Sequence, residues 1–505
     1  MATQVHRLSK SRFMAGLHCP RRLWLLVHRP KEKREPSLAE QRRLESGIEF
    51  GREVNRLFPG GVEITPDYRH PQEALDATAT LLESDASALF EAAFLHHDVL
   101  IRTDILKRSD VAPGVWDLIE VKSASNSESG SKKKLAKHTN DIAVQLFVLK
   151  GSRIHIGSTS LAWVNSSYER MGELDWDQLV VFEDLTEPVC ERMSEIEAEL
   201  DDFLSMIDRP HMPDVTYGKT KCEECEFTQF CWGDEPEDSI IRLPRVTPKK
   251  LAELGAMGVC RIPEIPDDYP LTKTQAPMVE ALRHPDGFVA DRDQLTRWIE
   301  DLEYPLYFFD FETWNPCIPP FDRTRPYMQI PFEYSVHIQD EPGAEPRHRE
   351  FLAPPSGDPR PDLIERMIED LGETGNIVVH HATFETTRIQ ELANYSPSRR
   401  PILASFVDRI QDTEVPFKRN WYLHPGLKGR SSIKVVLPTL APDLGYQGME
   451  IQEGQAASIA FGDLFEGRIA GDGALSTRTA LLDYCRLDTL AMVRIVDELR
   501  RLLGD

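Results

Sequence analysis

"VLIRTDILKR" (99–108) and "VWDLIEVKSAS" (115–125) flank a turn carrying Pro113 and Gly114. The first alternates as a half-buried strand does, which places Leu100, Arg102 and Asp104 on one face. In the second, Glu120 and Lys122 are two apart and share a face, while Ile119 and Val121 point the other way. The two stretches read as a hairpin that sets an aspartate opposite a Glu-x-Lys. Carboxylates so placed can hold Mg2+ or Mn2+, and the lysine can orient a water and offset charge on a phosphorus under attack. Alone the pattern is weak, because a surface strand pair with three solvated charges also satisfies it.

Downstream, "NDIAVQLFVLKG" (140–151) reads as a helix whose polar interruption is Gln145. Cysteines lie further out on both sides. Cys222, Cys225 and Cys231 in "KCEECEFTQFCW" (221–232) follow Cys-x2-Cys-x5-Cys spacing. Cys19 lies in "LSKSRFMAGLHCPRRLWLL" (8–26), where Ser9 or Ser11 can cap a helix that Cys19-Pro20 breaks. A disulfide, a zinc ion or an iron–sulfur cluster would account for the trio. Zinc ribbons and fingers bring two paired knuckles, and no second knuckle is nearby. Eight cysteines without an apolar leader in "MATQVHRLSKSRF" argue for a reducing compartment, and a cytoplasmic protein is expected. Cys190, Cys260, Cys317 and Cys485 are expected as ordinary buried thiols.

One cysteine near the N-terminus and three more in this spacing, around the Asp104 hairpin and the Gln145 helix, resemble the iron–sulfur nucleases of the AddB and CRISPR-associated RecB-like families. The resemblance implies a [4Fe–4S] cluster on Cys19, Cys222, Cys225 and Cys231 that staples the N-terminus to the end of a nuclease domain. Four thiolates also suit such a cluster chemically; zinc in the same ligands is the alternative. The resemblance further implies a PD-(D/E)XK restriction-endonuclease-like core in which Asp104, Glu120, Lys122 and Gln145 are catalytic, with Asp104 and Glu120 on the metal. This chain departs from those relatives twice. Leu149 stands where a tyrosine usually follows the glutamine, and "FGREVNRLFPGG" (50–61) has no histidine near Asn55.

From Glu235 the chain turns acidic and then proline-rich, "GDEPEDSIIRLPRVTPKK" (233–250), which marks a domain boundary. "LPRVTPKKLAELGAMGVCRIPEIPD" (243–267) has two short helical patterns and resembles a helix–hairpin–helix unit. Such units bind phosphate through backbone N–H groups at a helix N-terminus; plain packing is the alternative. "EYPLYFFDFETW" (303–314) opens with a near-continuous apolar run, as a strand buried in a mixed sheet does, and ends in Asp310-x-Glu312. "NIVVHHATFETTRIQELA" (376–393) gives strand, turn and helix. "LLDYCRLDTLAMVRIVDEL" (481–499) is an amphipathic helix that stacks Tyr484 and Asp488 on one face and leaves Asp483 to solvent.

These three stretches resemble the DnaQ-like (DEDD) exonucleases of the ribonuclease H superfamily, in the DEDDy variant. The resemblance implies Asp310, Glu312, Glu385 and Asp488 as two-metal ligands, with Tyr484 orienting the attacking water. His381 and Glu385 replace the usual Asn and Asp, and Glu, one methylene longer, still ligates. A domain that no longer cleaves is the alternative. Ser431, Ser432 and Lys434 in "GRSSIKVVLPTLAPDLGY" (429–446) are candidates for substrate contact, and Asp412 in "RIQDTEVPF" (409–417) is a candidate strand-end acid.

The chain has 505 residues, so two or three domains are expected. It contains no run of eighteen apolar residues, so no membrane partner is expected. A formal charge of −24 gives no bulk attraction to nucleic acid, which would need local basic patches. "SKKKLAKH" (131–138), Arg399 with Arg400, and the Lys418–Arg430 stretch are candidates, with solvated faces as the alternative.

The resulting expectation is an α/β protein in three parts: a RecB-like nuclease domain (1–235), a linker with a helix–hairpin–helix-like module (236–300), and a DnaQ-like ribonuclease H-fold domain (301–505). The combination resembles a bacterial family of RecB-family nucleases carrying a C-terminal domain of unknown function with ribonuclease H-like motifs. It implies a Mg2+- or Mn2+-dependent nuclease with two active sites, acting in processing, repair or defence on DNA that is single-stranded or has a free end. A helicase or another repair or defence protein is the expected protein partner. Two alternatives stay open. One is a nucleic-acid-binding adaptor with a structural cluster and one or both sites inactive. The other is an RNA-processing exonuclease, since no residue recognisably reads the 2′-hydroxyl.

Overall fold

Strands and helices are mixed along the chain, giving a mixed α/β protein with one large sheet in each of two units. The computed structural model describes residues 7–67, 69–125, 131–218 and 222–504. One unit is Met1–Asp234 with Cys317–Tyr327; the other is Glu235–Pro316 with Met328–Asp505.

The first unit carries β1 (Leu8–Ser9), β2 (Val62–Glu63), β3 (Ala88–His96), β4 (Val99–Arg108), β5 (Val115–Ser125), β6 (His155–Val164) and β7 (Val180–Asp184). They form a mixed sheet in the order β2-β3-β4-β5-β6-β7, with β1 paired to β4. The hairpin expected at 99–125 is present, with Ile105 opposite Ile119 and Leu106 opposite Leu118. Gly114 makes its turn at φ 78°. β5 and β6 run parallel, and parallel neighbours need a crossover, here the helix Ser131–Gly151.

In that helix Ile142, Ala143, Val144, Leu146, Val148 and Leu149 are all buried. Apolar residues all round a helix require cover on several sides. Strands β3, β4 and β6 supply one side and the helix Thr186–Ile207 another. Leu106 and Leu118 belong to this core, whereas Ile105 and Ile119 pack on the other face with Phe50 and Val54 of the helix Leu38–Asn55. Period-two alternation therefore puts Asp104, Glu120 and Lys122 on the side of the Ser131–Gly151 helix. The short helix Lys10–His18 starts at Ser9, whose Oγ accepts from the Arg12 N–H at 3.3 Å, and ends at Cys19 before Pro20 opens the next. Gly16 lets it lie close against Phe203, whose ring would be 2.7 Å from a Cβ there.

The second unit carries β8 (Val289–Ala290), β9 (Leu306–Trp314), β10 (Ile330–Gln339), β11 (Arg347–Leu352), β12 (Ile377–Val379), β13 (Ile410–Asp412) and β14 (Tyr422–Leu423). Its mixed sheet runs β11-β10-β9-β12-β13, and β8 pairs with β14 as a separate ribbon. β9 lies in the middle, buried on both faces, which is why its sequence is apolar almost without a break. Tyr307, Phe309 and Phe311 join one core; Leu306 and Phe308 join the other, with residues of the helix Asp472–Leu503. Asp310 and Glu312 share the Phe308 face and look toward that helix. Its rotation is pinned by Thr489, whose hydroxyl bonds Ser335 Oγ and His337 Nδ1 of β10, both at 2.8 Å.

Two expectations need correction. In the 243–267 stretch a helix forms at Pro248–Ala256, capped by Thr247, but only a 3-10 turn follows at Ile262–Glu264. Pro263 and Pro266 remove backbone donors there, so a second α-helix does not propagate. Cys317 and Cys485 are buried as expected, but Cys190 and Cys260 are exposed, one on the outer face of the Thr186–Ile207 helix and the other in a loop. Among the described residues no helix is long and apolar enough to cross a membrane.

Candidate functional site

Three clusters gather the residues singled out above. The first lies under the Ser131–Gly151 helix. Gln145 Nε2 donates to Glu120 Oε2 at 2.7 Å, and the Val121 N–H donates to Asp104 Oδ2 at 2.7 Å. Lys122 donates to Glu120 Oε1. Two residues join them that the motifs did not mark. Lys10 Nζ lies 2.8 Å from Glu120 Oε1 and 3.4 Å from Asp141 Oδ1, and Lys122 Nζ lies 3.2 Å from Asp141 Oδ2. Asp141 precedes Gln145 by four positions, one helical turn, which is the signal that could have found it.

Three carboxylates thus share two ammonium groups. Burial, then the Glu120 charge, pushes the Asp104 carboxyl up to about 7. Burial also raises Glu120, but Lys10 and Lys122 outweigh it and hold that carboxyl below the usual range. Burial opposes the charge on Lys122, yet Glu120 and Asp141 outweigh it and keep the ammonium protonated well past neutrality. Gln145 Oε1 is buried without a hydrogen bond and is open to a donor.

The second cluster lines a cleft of about 450 Å³ that includes Asp310, Glu312, Glu385, Tyr484 and Asp488. β9 supplies the first two, the start of the helix Ala382–Tyr395 the third, and one face of Asp472–Leu503 the last two. Ligand atoms of Asp310, Glu312 and Cys485 lie within 4.8 Å of one another. Burial, then neighbouring carboxylates, raises Asp310, Glu312 and Glu385, and Glu385 shares a hydrogen bond with Asp310. Such a bond between two carboxyls requires a proton on one of them.

Lys434 Nζ donates to Asp488 Oδ1 at 2.9 Å and sits 3.3 Å from the Tyr446 ring centroid and 4.2 Å from that of Tyr484. Tyr446 also donates to Asp488. Glu333, directly across the β9–β10 ladder from Glu312, is fully buried with neither carboxylate oxygen bonded, and Glu385 Oε2 is likewise unbonded. One lysine among this many acids leaves room for a divalent cation, and the carboxylate oxygens that line the cleft are the donors that Mg2+ and Mn2+ take.

Asp412 is not a ligand in this geometry. Its oxygens accept the backbone N–H groups of His381 and Ala382, both at 3.0 Å, and of Glu414 at 2.8 Å. It therefore caps the helix that presents Glu385. His381, just before that helix, is left-handed at φ 83°, a conformation that histidine, like asparagine, adopts more readily than most residues. Ser431 and Lys434 reach the site's surroundings: Ser431 Oγ donates to Glu414 at 2.6 Å, and its carbonyl accepts from His380 Nε2 at 2.8 Å. Ser432, by contrast, is exposed just before the helix Ile433–Leu440. Asp483 is exposed, as its place on the helix implied.

The third cluster is a small pocket whose lining includes Cys19, Cys222, Cys225 and Cys231, with Arg21 and Arg22. Residues 203 positions apart thus meet, because the break between helices at Cys19-Pro20 and the Thr228–Trp232 helix pack at the same place. Thr228 Oγ1 ties the cysteine loop by donating to the Cys225 carbonyl at 2.8 Å. Among the described residues the single group of three ligand atoms within 4.8 Å is Asp310, Glu312 and Cys485, so no three of these four sulfurs come that close. Tetrahedral zinc at 2.3 Å would draw its sulfurs to about 3.8 Å apart. Burial pushes the Cys225 thiol up to about 11.

Of the basic patches, Arg399 is committed to Glu365 at 2.6 Å and Arg400 turns back on Asn394. The side chains of Lys132, Lys133 and Lys134 lie outside the described residues. Lys418–Arg430 lines a second cleft.

A family described as "Domain of unknown function (DUF2779)" matches residues 307–432, a span that holds Asp310, Glu312, Glu385 and Asp412 but neither Tyr484 nor Asp488. The chain is 23% identical over 214 residues to "Uncharacterized protein MG366 homolog" of Mycoplasma pneumoniae, across 39% of this chain and 32% of that protein. It therefore spans about a third of the length of that relative. "Crystal structure of SSO0001" aligns with 44% of this chain and 84% of its own at 14% identity, with a TM-score of 0.20.

Removing the Asp412 cap should loosen the start of the Glu385 helix. Asp412→Ala is expected to cost about 0.5–2 kcal/mol, the usual range for a lost N-cap, read as a lower midpoint in urea unfolding.

Proposed function

We propose that this protein is a metal-dependent nuclease with two hydrolytic centres, a PD-(D/E)XK site in the first unit and a DEDD site on a ribonuclease H-like sheet in the second. The observation that carries the reading is the second cleft. Acids from three distant stretches, Asp310 and Glu312, Glu385, and Asp488, converge there with a single lysine, and Tyr484 lines the same wall. A divalent metal bound there would polarise a phosphodiester and acidify a water.

The chain's own residues do the rest. Burial raises the Tyr484 phenol far above neutrality, so it stays protonated and orients a water by donating rather than by acting as a base. Lys434 holds Asp488 in place and adds positive charge beside the phenol. In the first unit Lys122 stays an ammonium, so it serves by charge and by donating to a water or a phosphate oxygen, not by accepting a proton. Gln145 fixes Glu120.

The four cysteines are proposed to hold a [4Fe–4S] cluster. Four thiol donors lining one pocket suit it. DNA with a free end is the proposed substrate, with RNA as the competing one.

One observation favours a second reading for the first unit, in which that site binds without cutting. Lys10 places an ammonium against Glu120 and near Asp141, where a cation would otherwise balance them.

End-labelled DNA and a matched RNA, cut in Mn2+ by anaerobically purified protein, test the main reading. Lys122→Ala and Asp310→Ala should each remove a separable part of the cleavage, and the double variant all of it. If wild type cuts neither nucleic acid, the reading fails. Metal binding at the first site should also depend on pH. Asp104 must give up its proton to bind Mn2+, so affinity should fall about tenfold per unit below pH 7 and level off above it, as titrated in an Asp310→Asn background. In the same background Lys10→Met should tighten Mn2+ binding about tenfold if the ammonium stands in for a cation; an unchanged affinity removes the second reading.

A further inference from the structure

The Lys418–Arg430 stretch and the joint that precedes the second sheet together build a cleft of about 670 Å³. Its wall carries Arg245, Lys273, Lys418, Arg419 and Arg430, and no aspartate or glutamate. In a chain with 83 acidic and 59 basic residues, an acid-free wall with five cations is not a consequence of composition. Lys418 pairs with Glu414 at 3.0 Å. Arg245, Lys273, Arg419 and Arg430 make no ion pair among the described residues, and all four are exposed.

The cleft is also held in shape. Gly429, at φ 68°, lies so close to the joint that a Cβ would fall 2.6 Å from Pro244 Cγ, so the loop can close on Pro244 only because that position is glycine. Trp421 lines the cleft half-buried, with the Arg419 guanidinium 6.0 Å from its ring centroid.

The basic cleft and the acid cleft are neighbours, separated by one hydrogen bond. Ser431 lines the first, His380 lines the second, and His380 Nε2 donates to the Ser431 carbonyl at 2.8 Å. Unpaired cations lining a cleft beside an aromatic face are how proteins hold a single strand without reading its sequence: phosphates meet the charges and a base stacks on the ring.

We propose that this cleft binds the sugar–phosphate backbone of a single nucleic-acid strand and leads its end to Asp310 and Glu312. The destination rests on the nuclease reading; the binding does not. Arg245 and Lys273 come from the joint, so the joint is part of the substrate path, through side-chain charge rather than through a helix N-terminus.

The test is fluorescence-anisotropy binding of labelled oligo-dT and oligo-rU to the full chain in EDTA, over a range of salt concentrations. It compares wild type with the triple variant R245E/K273E/R430E. Each phosphate contact on a single strand adds about 0.7 to the slope of log K against log salt, so the triple variant should lose about 2 from that slope. Ultraviolet crosslinking of wild type to oligo-dT should place the strand on residues 417–431, and this holds even if the triple variant misfolds.

Equal slopes and affinities in a folded triple variant overturn the proposal, as does crosslinking confined to other segments or a wild type that binds no oligonucleotide. A strand that binds this cleft but is never cut in Mn2+ upholds the cleft and defeats the nuclease reading instead. Preference for oligo-dT or oligo-rU separates the two sources of the same backbone chemistry.

Discussion

Burying carboxylates is the constraint on which both candidate centres depend. A buried charge without a partner is among the most costly things a fold can contain, so each acid must be protonated, paired or bound to a cation. The first unit meets the demand with ammonium groups: Lys10 and Lys122 both lie on Glu120, and that carboxyl stays ionised. The second unit has Lys434 alone, and its acids respond by holding protons, with Glu385 and Asp310 sharing one between them. The two centres therefore differ in balance: a metal at the first would displace lysine from Glu120 and the proton of Asp104, and at the second mainly protons, with Lys434 on Asp488 the cation in its way.

The scaffold explains how such acids can be held close at all. β9 is covered on both faces by aromatic and aliphatic side chains, so its backbone cannot shift to let Asp310 and Glu312 separate. The facing helix is fixed in rotation by the Thr489 bonds to β10, which keep Asp488 and Tyr484 pointed inward. On the third side Asp412 spends its charge on backbone N–H groups and so sets where Glu385 begins its helix. One acid of the 410–414 segment is thus structural, although its type and its strand-end position are those of a ligand.

How much of this was legible in the sequence follows from the range over which each signal acts. Glu120 with Lys122, and Asp310 with Glu312, are two apart on strands, and Tyr484 with Asp488 are four apart on a helix, so local periodicity alone puts each pair on one face. The hairpin at 99–125 was legible for the same reason. Lys10 meets Glu120 across 110 positions, and Tyr446 meets Asp488 across 42; no local pattern announces either contact. Glu333 was hidden because nothing local marks an acid in "PFEYSVHIQ" for burial, whereas β10 is buried along its whole length. The second helix of the 243–267 stretch failed for a local reason that was available: its prolines. Cys190 and Cys260 were expected inside on the habits of their residue type, which say nothing about which face of a helix or loop they occupy.

Charge also bears on why the basic cleft lies where it does. A polyanion approaching a chain of net charge −24 is repelled at a distance, and most strongly by a cleft that is itself built of acids. Lys434, inside that cleft, is already taken by Asp488. Any attraction must come from cations outside it, close enough to deliver a phosphate yet far enough not to pair with the acids and cancel both. The wall of Arg245, Lys273, Arg419 and Arg430 has that arrangement: its cations are unpaired and separated from the carboxylates by the neutral His380–Ser431 contact. Burial lowers His380 below its ordinary range, so this partition stays uncharged near neutral pH. A charged histidine there would attract the acids toward the basic wall, whereas a neutral one lets opposite potentials stand side by side.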